Sequence, residues 1–202
     1  MKLILLLLSG GILLVAKGQA PTLAIVGEEK RPGYYWDKEG VKHKGVLKPK
    51  FSTVYGKGTT VKFYQNGKKV GHLGTDEMAS FIYDRDSFAL IQKMQLNIET
   101  IYDTDFAKVV ESGTLNLYIH WHKERHYGGT NTPLKTVIKP AYLIKEEGSS
   151  TFKVISHRGN FEAYFLPLIK DDEKLTKYIL AMSKSEWLAN LPRYISEYNS
   201  RH

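Results

Sequence analysis

The chain has 202 residues, of which 42% are hydrophobic, 25% charged and 12% aromatic; this globular balance excludes collagen-like, low-complexity and wholly disordered readings. There is no cysteine, which excludes disulfides, thiolate metal sites, cysteine nucleophiles and lipid attachment through an N-terminal cysteine. The formal charge of +8 makes the distribution of lysine the first question to follow along the chain.

Residues 1–18 read as an export signal. Lys2 supplies the positive start, and Leu3 to Leu8 with Ile12 to Val15 form the apolar stretch. The small residues Ala16 and Gly18 then suit cleavage ahead of Gln19. Cleavage after Ala20 is disfavoured by Pro21. A retained membrane anchor is the competing reading, but the apolar run is about 14 residues, short of the roughly 20 that cross a bilayer, and Lys17 closes it. The expected compartment is the periplasm, the outer-membrane surface or the medium.

Residues 19–32 form a lead-in, with one strand expected at Leu23 to Val26. From Gly33 the pattern is one of short extended runs separated by turn signals. Gly33 to Trp36 and Val41 to Leu47 flank Asp37-Lys-Glu-Gly40. Thr60 to Tyr64 and Lys69 to Leu73 flank a tight turn at Asn66-Gly67. Alternation marks a strand around Met94, Leu96 and Ile98 and a stronger one from Thr114 to His122. There Leu115, Leu117, Ile119 and Trp121 form the core side, and Asn116, Tyr118, His120 and His122 the solvated side. A last strand pair is expected around Thr136 to Ile144 and Thr151 to Ile155.

After Gly159 the apolar period lengthens to that of a helix. Phe161, Tyr164, Phe165 and Leu168 share one stripe, which Pro167 shortens or kinks. Leu175, Tyr178, Ile179 and Met182 form a second, behind the acidic start Asp171-Asp-Glu173. A third runs from Trp187 to Tyr198, with Pro192 expected near a helix start. Strands first and helices last predict one α+β domain over 33–202: antiparallel hairpins over 33–155, and helices over 160–200 packed on the sheet. No linker divides it.

Tyr35-Trp-Asp-Lys-Glu-Gly-Val-Lys and Phe63-Tyr-Gln-Asn-Gly-Lys-Lys-Val share an aromatic pair, a glycine turn and lysine. The second resembles the stacking hairpin repeats of MORN-like proteins. Such arrays need three or more copies, so two ordinary hairpins account better for the pair. More broadly, several segments taken together resemble a family of uncharacterised exported proteins of Gram-negative bacteria. They are Gly33-Tyr-Tyr-Trp-Asp-Lys-Glu-Gly40 with Gly45-Val-Leu47, Asp76-Glu-Met-Ala-Ser-Phe81, Val109 to Tyr118, and Tyr194-Ile-Ser-Glu-Tyr-Asn199. The resemblance implies export and a β-rich body with a helical tail; it carries no catalytic residue and no cofactor.

The sharpest chemical candidate is His120-Trp-His122-Lys-Glu124-Arg-His126. Alternate residues of a strand share a face, so His120 and His122 can aim at one metal, with His72 or His157 as a third ligand. His126 would be roughly 20 Å from His120 along the strand, too far to join, and Glu124 comes too soon for a cupin. The competing reading is a solvated strand face. No nucleophile elbow occurs, Ser112 reads as a turn residue, and Asp103, Asp105 and Glu111 read as strand-end carboxylates rather than an acid–base pair. His157-Arg158 reads as helix capping as readily as anion binding, and Gly56-Lys-Gly58 lacks phosphate-loop spacing.

Charge asymmetry is more informative. Between Gly40 and Thr75 stand eight lysines (Lys42, Lys44, Lys48, Lys50, Lys57, Lys62, Lys68, Lys69) and no Asp or Glu. Once Lys2 and Lys17 leave with the signal, the rest of the chain is net negative. The lysines lie beside Phe51, Tyr55, Phe63 and Tyr64, a composition that attracts polyanions through a salt-screened field. Export directs the expectation away from nucleic acid and towards anionic lipid head groups or acidic polysaccharide of the envelope. Edge lysines that only discourage strand pairing between molecules remain the bland alternative. The expected function is a non-catalytic binding or interaction module; the competing class is a metal-dependent enzyme using His120 and His122.

Overall fold

The structure, a computed structural model, describes residues 29–51, 58–95, 101–126 and 135–202. The signal segment, the expected strand at 23–26 and Lys57 lie outside the described residues. The chain is an α+β fold in which one antiparallel sheet of ten strands is covered by C-terminal helices. The strands are β1 (Arg31–Asp37), β2 (Lys42–Lys50), β3 (Thr60–Gln65), β4 (Lys68–Leu73), β5 (Met78–Tyr83), β6 (Asp86–Gln95), β7 (Ile101–Glu111), β8 (Leu115–His126), β9 (Lys135–Glu146) and β10 (Lys153–Ile155). Their spatial order is β10-β9-β8-β7-β6-β5-β1-β2-β3-β4.

Tight turns make most of this order local. Asn66 and Gly67 take positive φ angles of 50° and 76°, as a two-residue hairpin turn between β3 and β4 requires. The exception is the return from the edge strand β4 to β5, which pairs with β1. In a flat sheet these strands would stand roughly 19 Å apart, more than the link Gly74–Glu77 can bridge, so the sheet coils on itself. Phe51, just after β2, therefore reaches Phe88 and Trp121, with ring centroids 5.5 and 6.1 Å away. At Gly45, a Cβ would sit 2.5 Å from the Phe63 ring and from the Tyr64 carbonyl, so only glycine lets β2 and β3 cross this closely.

The main core lies on the inner side of this coil and under the helices. Leu115, Leu117, Ile119 and Trp121 belong to it, on the side that alternation assigns. α1 (Arg158–Asn160), α2 (Glu173–Ala181) and α3 (Trp187–Asn199) complete the chain. The stripe expected at 161–168 is not a regular α-helix: a π-turn over Phe161–Phe165 passes into a 3-10 turn over Leu166–Ile169. Pro167 has no N–H to extend an α ladder, and the altered pitch leaves Tyr164 exposed while Phe161 and Phe165 stay buried. α3 begins at Trp187, so Pro192 falls inside the helix rather than near its start. Burial of Trp187, Leu191, Tyr194, Ile195 and Tyr198 holds α3 in place.

Asn199 ties this last helix to the sheet. Its side-chain Nδ2 donates to the Leu115 carbonyl (2.8 Å) and its Oδ1 accepts from the Leu115 N–H (2.9 Å), so the amide pairs with β8 as a strand would. A Cβ on Gly113 would stand 2.7 Å from the Asn199 amide carbon, so the glycine before β8 makes room for that contact.

Candidate functional site

Register decides which lysines act together. Lys42, Lys44, Lys48 and Lys50 share one side of β2 with Val46, while Leu47 and Pro49 turn inward and are buried. Across β1, Trp36 is opposite Lys42 and Tyr34 opposite Lys44. Across β3, Tyr64 is opposite Val46 and Lys62 opposite Lys48. Tyr35, Leu47, Val61 and Phe63 of the same strands lie in the main core, so the other side faces solvent. The result is one outer sheet face bearing Lys42, Lys44, Lys48, Lys50 and Lys62 among Tyr34, Trp36 and Tyr64. Lys69, opposite Tyr64, extends it to the edge strand, and Lys68 stands at the hairpin tip.

These cations have no carboxylate to answer them. β2, β3 and β4 contain no Asp or Glu. Lys108, Lys177 and Lys184 stand in ion pairs, none of them on this face. Asp37, at the end of β1, is already engaged: its Oδ2 lies 2.7 Å from His43 Nε2 and its Oδ1 accepts from the Val41 N–H. The His43 hydrogen bond holds this carboxyl below its ordinary range.

Aromatic rings hold two ammonium groups instead. Lys42 Nζ lies 3.6 Å from the Tyr34 centroid and 5.5 Å from that of Trp36. Lys30, outside the window singled out by composition, places its Nζ 4.0 Å over Tyr64. A ring attracts a cation without neutralising it, for about 0.5–1 kcal/mol at exposed sites, so the charge stays available to a ligand. Lys48 and Lys62 have no such support and face each other directly across β2 and β3. Like charges in that register destabilise an antiparallel pair.

The histidine segment is organised differently. His120 is 2% exposed, not on a solvated face, because both sides of β8 are covered. Its Nε2 donates to Asp105 Oδ2 at 2.7 Å. Asp105, also 2% exposed, accepts from the backbone N–H groups of Thr59 (2.6 Å) and Phe106 (2.7 Å) through Oδ1. Asp105 is thus the centre of a buried knot joining β7, β8 and the start of β3, a role its sequence position does not announce. Tyr102 packs edge-on against the imidazole, with Ile91, Met94, Ala107 and Leu143 in the same apolar group.

The proposed third ligands stay apart from this knot: His72 and His157 are both exposed. Among the described residues no three His, Asp or Glu side chains stand together as a metal would require. Among the described residues, His72 and His157 therefore do not join His120 and His122 at one centre. A cleft of about 730 Å³ lies elsewhere, between the end of β6 and β10, lined by Gln92, Lys93, Gln95, Phe152, Lys153 and Tyr164 among others.

Compared with known proteins, the chain matches no family model, no curated protein and no solved structure. The site is therefore read from its own geometry. No helix among the described residues is long and apolar enough to cross a membrane.

Proposed function

We infer that the protein is an exported, non-catalytic binding module of the bacterial envelope whose outer lysine face engages an anionic envelope component. Export rests on the signal-like segment at 1–18 and on the resemblance to exported Gram-negative proteins. The observation that carries the binding reading is the unanswered pair Lys48 and Lys62, opposed across two strands at the centre of a face without carboxylates. A sheet that needed these positions only for stability would do better with a threonine or an opposite charge at one of them. Each lysine near an anionic surface contributes about 1 kcal/mol at low salt.

The lobe carries lysine and no arginine between Gly40 and Thr75. Ammonium groups act as compact, hydrated point charges and lack the planar fork that selects single carboxylates. Recognition of this kind reads charge density. The test is retention on anionic and neutral surfaces as salt is raised. Retention confined to the anionic surface and lost steeply between 50 and 500 mM salt, roughly a tenfold span, fits the reading. Equal retention on both surfaces, or retention indifferent to salt, contradicts it.

A further inference from the structure

Resting on that reading, we propose that the anionic partner is a lipid bilayer, met by the outer face of β1–β4 with Val41 and Val70 at its margins. Three observations separate a membrane from a soluble polyanion. First, the face is an open sheet surface, and the cleft described between β6 and β10 is lined by none of its lysines. Second, the rings on it are Tyr34, Trp36 and Tyr64, two of which carry ammonium groups over their faces; those faces are occupied and not open for stacking on a sugar or a base. Tyrosine, tryptophan and lysine together are the side chains that settle at the head-group level of a bilayer. Third, Val41 is 54% exposed and Val70 61% exposed, and both belong to this lobe. Val41 closes the β1–β2 turn, and Val70 stands on the edge strand where the register with β3 shifts.

Exposed valines contribute nothing to a soluble polysaccharide held by charge, whereas entry into the acyl boundary removes their apolar surface from water. The outer basic face supplies the long-range attraction, and the valines with Trp36 supply contacts that salt does not screen.

The experiment uses the purified protein with three probes: vesicles of phosphatidylglycerol and phosphatidylcholine, vesicles of phosphatidylcholine alone, and soluble polygalacturonate. Binding is read by co-sedimentation and by tryptophan emission. Of the three tryptophans, Trp121 and Trp187 are buried, so a shift on binding reports Trp36. The expected result is binding to the anionic vesicles with a blue shift. The paired substitution Val41→Ser, Val70→Ser should weaken vesicle binding by ~tenfold or more while leaving polygalacturonate binding and the melting temperature unchanged. Binding to polygalacturonate but not to anionic vesicles overturns the lipid proposal and leaves the anionic-face reading standing. Vesicle binding without an emission shift, and indifferent to the valine substitutions, also overturns it. Binding to neither probe overturns both.

Discussion

The lysine lobe and the helical layer carry comparable numbers of lysine and arginine side chains and treat them differently. In the helical layer four cations are answered by carboxylates: Lys177 by Glu173, Arg158 and Lys184 by Glu162, and Arg201 by Asp172 and Glu197. On the outer face of β1–β4 the lysines meet rings, one another or water. Between the two regions, Asp105 and His120 form a buried pair with backbone donors around it. Charge that stabilises the fold is paired or buried with partners; charge left unanswered on the outer sheet face weakens the sheet and is free for a ligand.

Breaking the buried knot should produce the largest effect. His120→Ala or Asp105→Ala removes one partner of an enclosed pair and leaves the other without compensation, a loss of about 3–5 kcal/mol by denaturant unfolding. A change below about 1 kcal/mol would show that the knot is incidental. Next comes the join between helix and sheet. Asn199→Leu leaves the Leu115 N–H and C=O without partners, for about 1–3 kcal/mol. Gly113→Ala should fall in the same range, because the added Cβ meets the Asn199 amide.

The Asp172 cap sharpens the comparison on the acid side. Its Oδ1 accepts from the Leu175 N–H at 2.9 Å and its Oδ2 from Arg201 at 2.7 Å. The Leu175 hydrogen bond first, and Arg201 after it, hold this carboxyl below its ordinary range. The folded state therefore binds this proton less readily than the unfolded one, so the contribution is present above the unfolded value and lost as pH falls through the folded one. Asp172→Ala should cost about 1 kcal/mol at neutral pH, and the difference from wild type should shrink as the solution is acidified. On the alkaline side, burial and then the Asp171 hydrogen bond push Tyr198 up from 10 to about 12. Stability should fall as pH rises through that interval, and less so in Tyr198→Phe. The smallest effect has the opposite sign. Lys62→Thr should raise stability by about 0.2–1 kcal/mol, because it relieves the repulsion with Lys48, while weakening the anionic interaction.

Much of the fold was legible in local pattern. Alternation assigned Leu115, Leu117, Ile119 and Trp121 to the core, Asn66-Gly67 marked its turn, and the shift to helical period after Gly159 placed the C-terminal layer. The concentration of lysine was legible too, whereas the shared side of Lys42, Lys44, Lys48 and Lys50 came from the bounds and burial of β2. Which strand pairs with β2, and in what register, depends on the long-range coil of the sheet, so the opposition of Lys48 and Lys62 was not readable. The same limit hid Asp105 with His120. A strand covered on one face and one covered on both can share the same alternation, and the residue that satisfies His120 lies on the neighbouring strand. Pro167 signalled a disturbed helix without specifying the π and 3-10 turns that replaced it.

Matched charge removal reaches the central claim most directly. One variant carries Lys44→Ala, Lys48→Ala and Lys62→Ala; the other carries Lys174→Ala, Lys177→Ala and Lys184→Ala, with the same loss of net charge from the helical layer. Binding to vesicles containing phosphatidylglycerol should fall about a hundredfold in the first, at about 1 kcal/mol per lysine, and change little in the second. Equal losses in the two variants would mean that net charge alone governs the interaction and that the unanswered face has no special part in it.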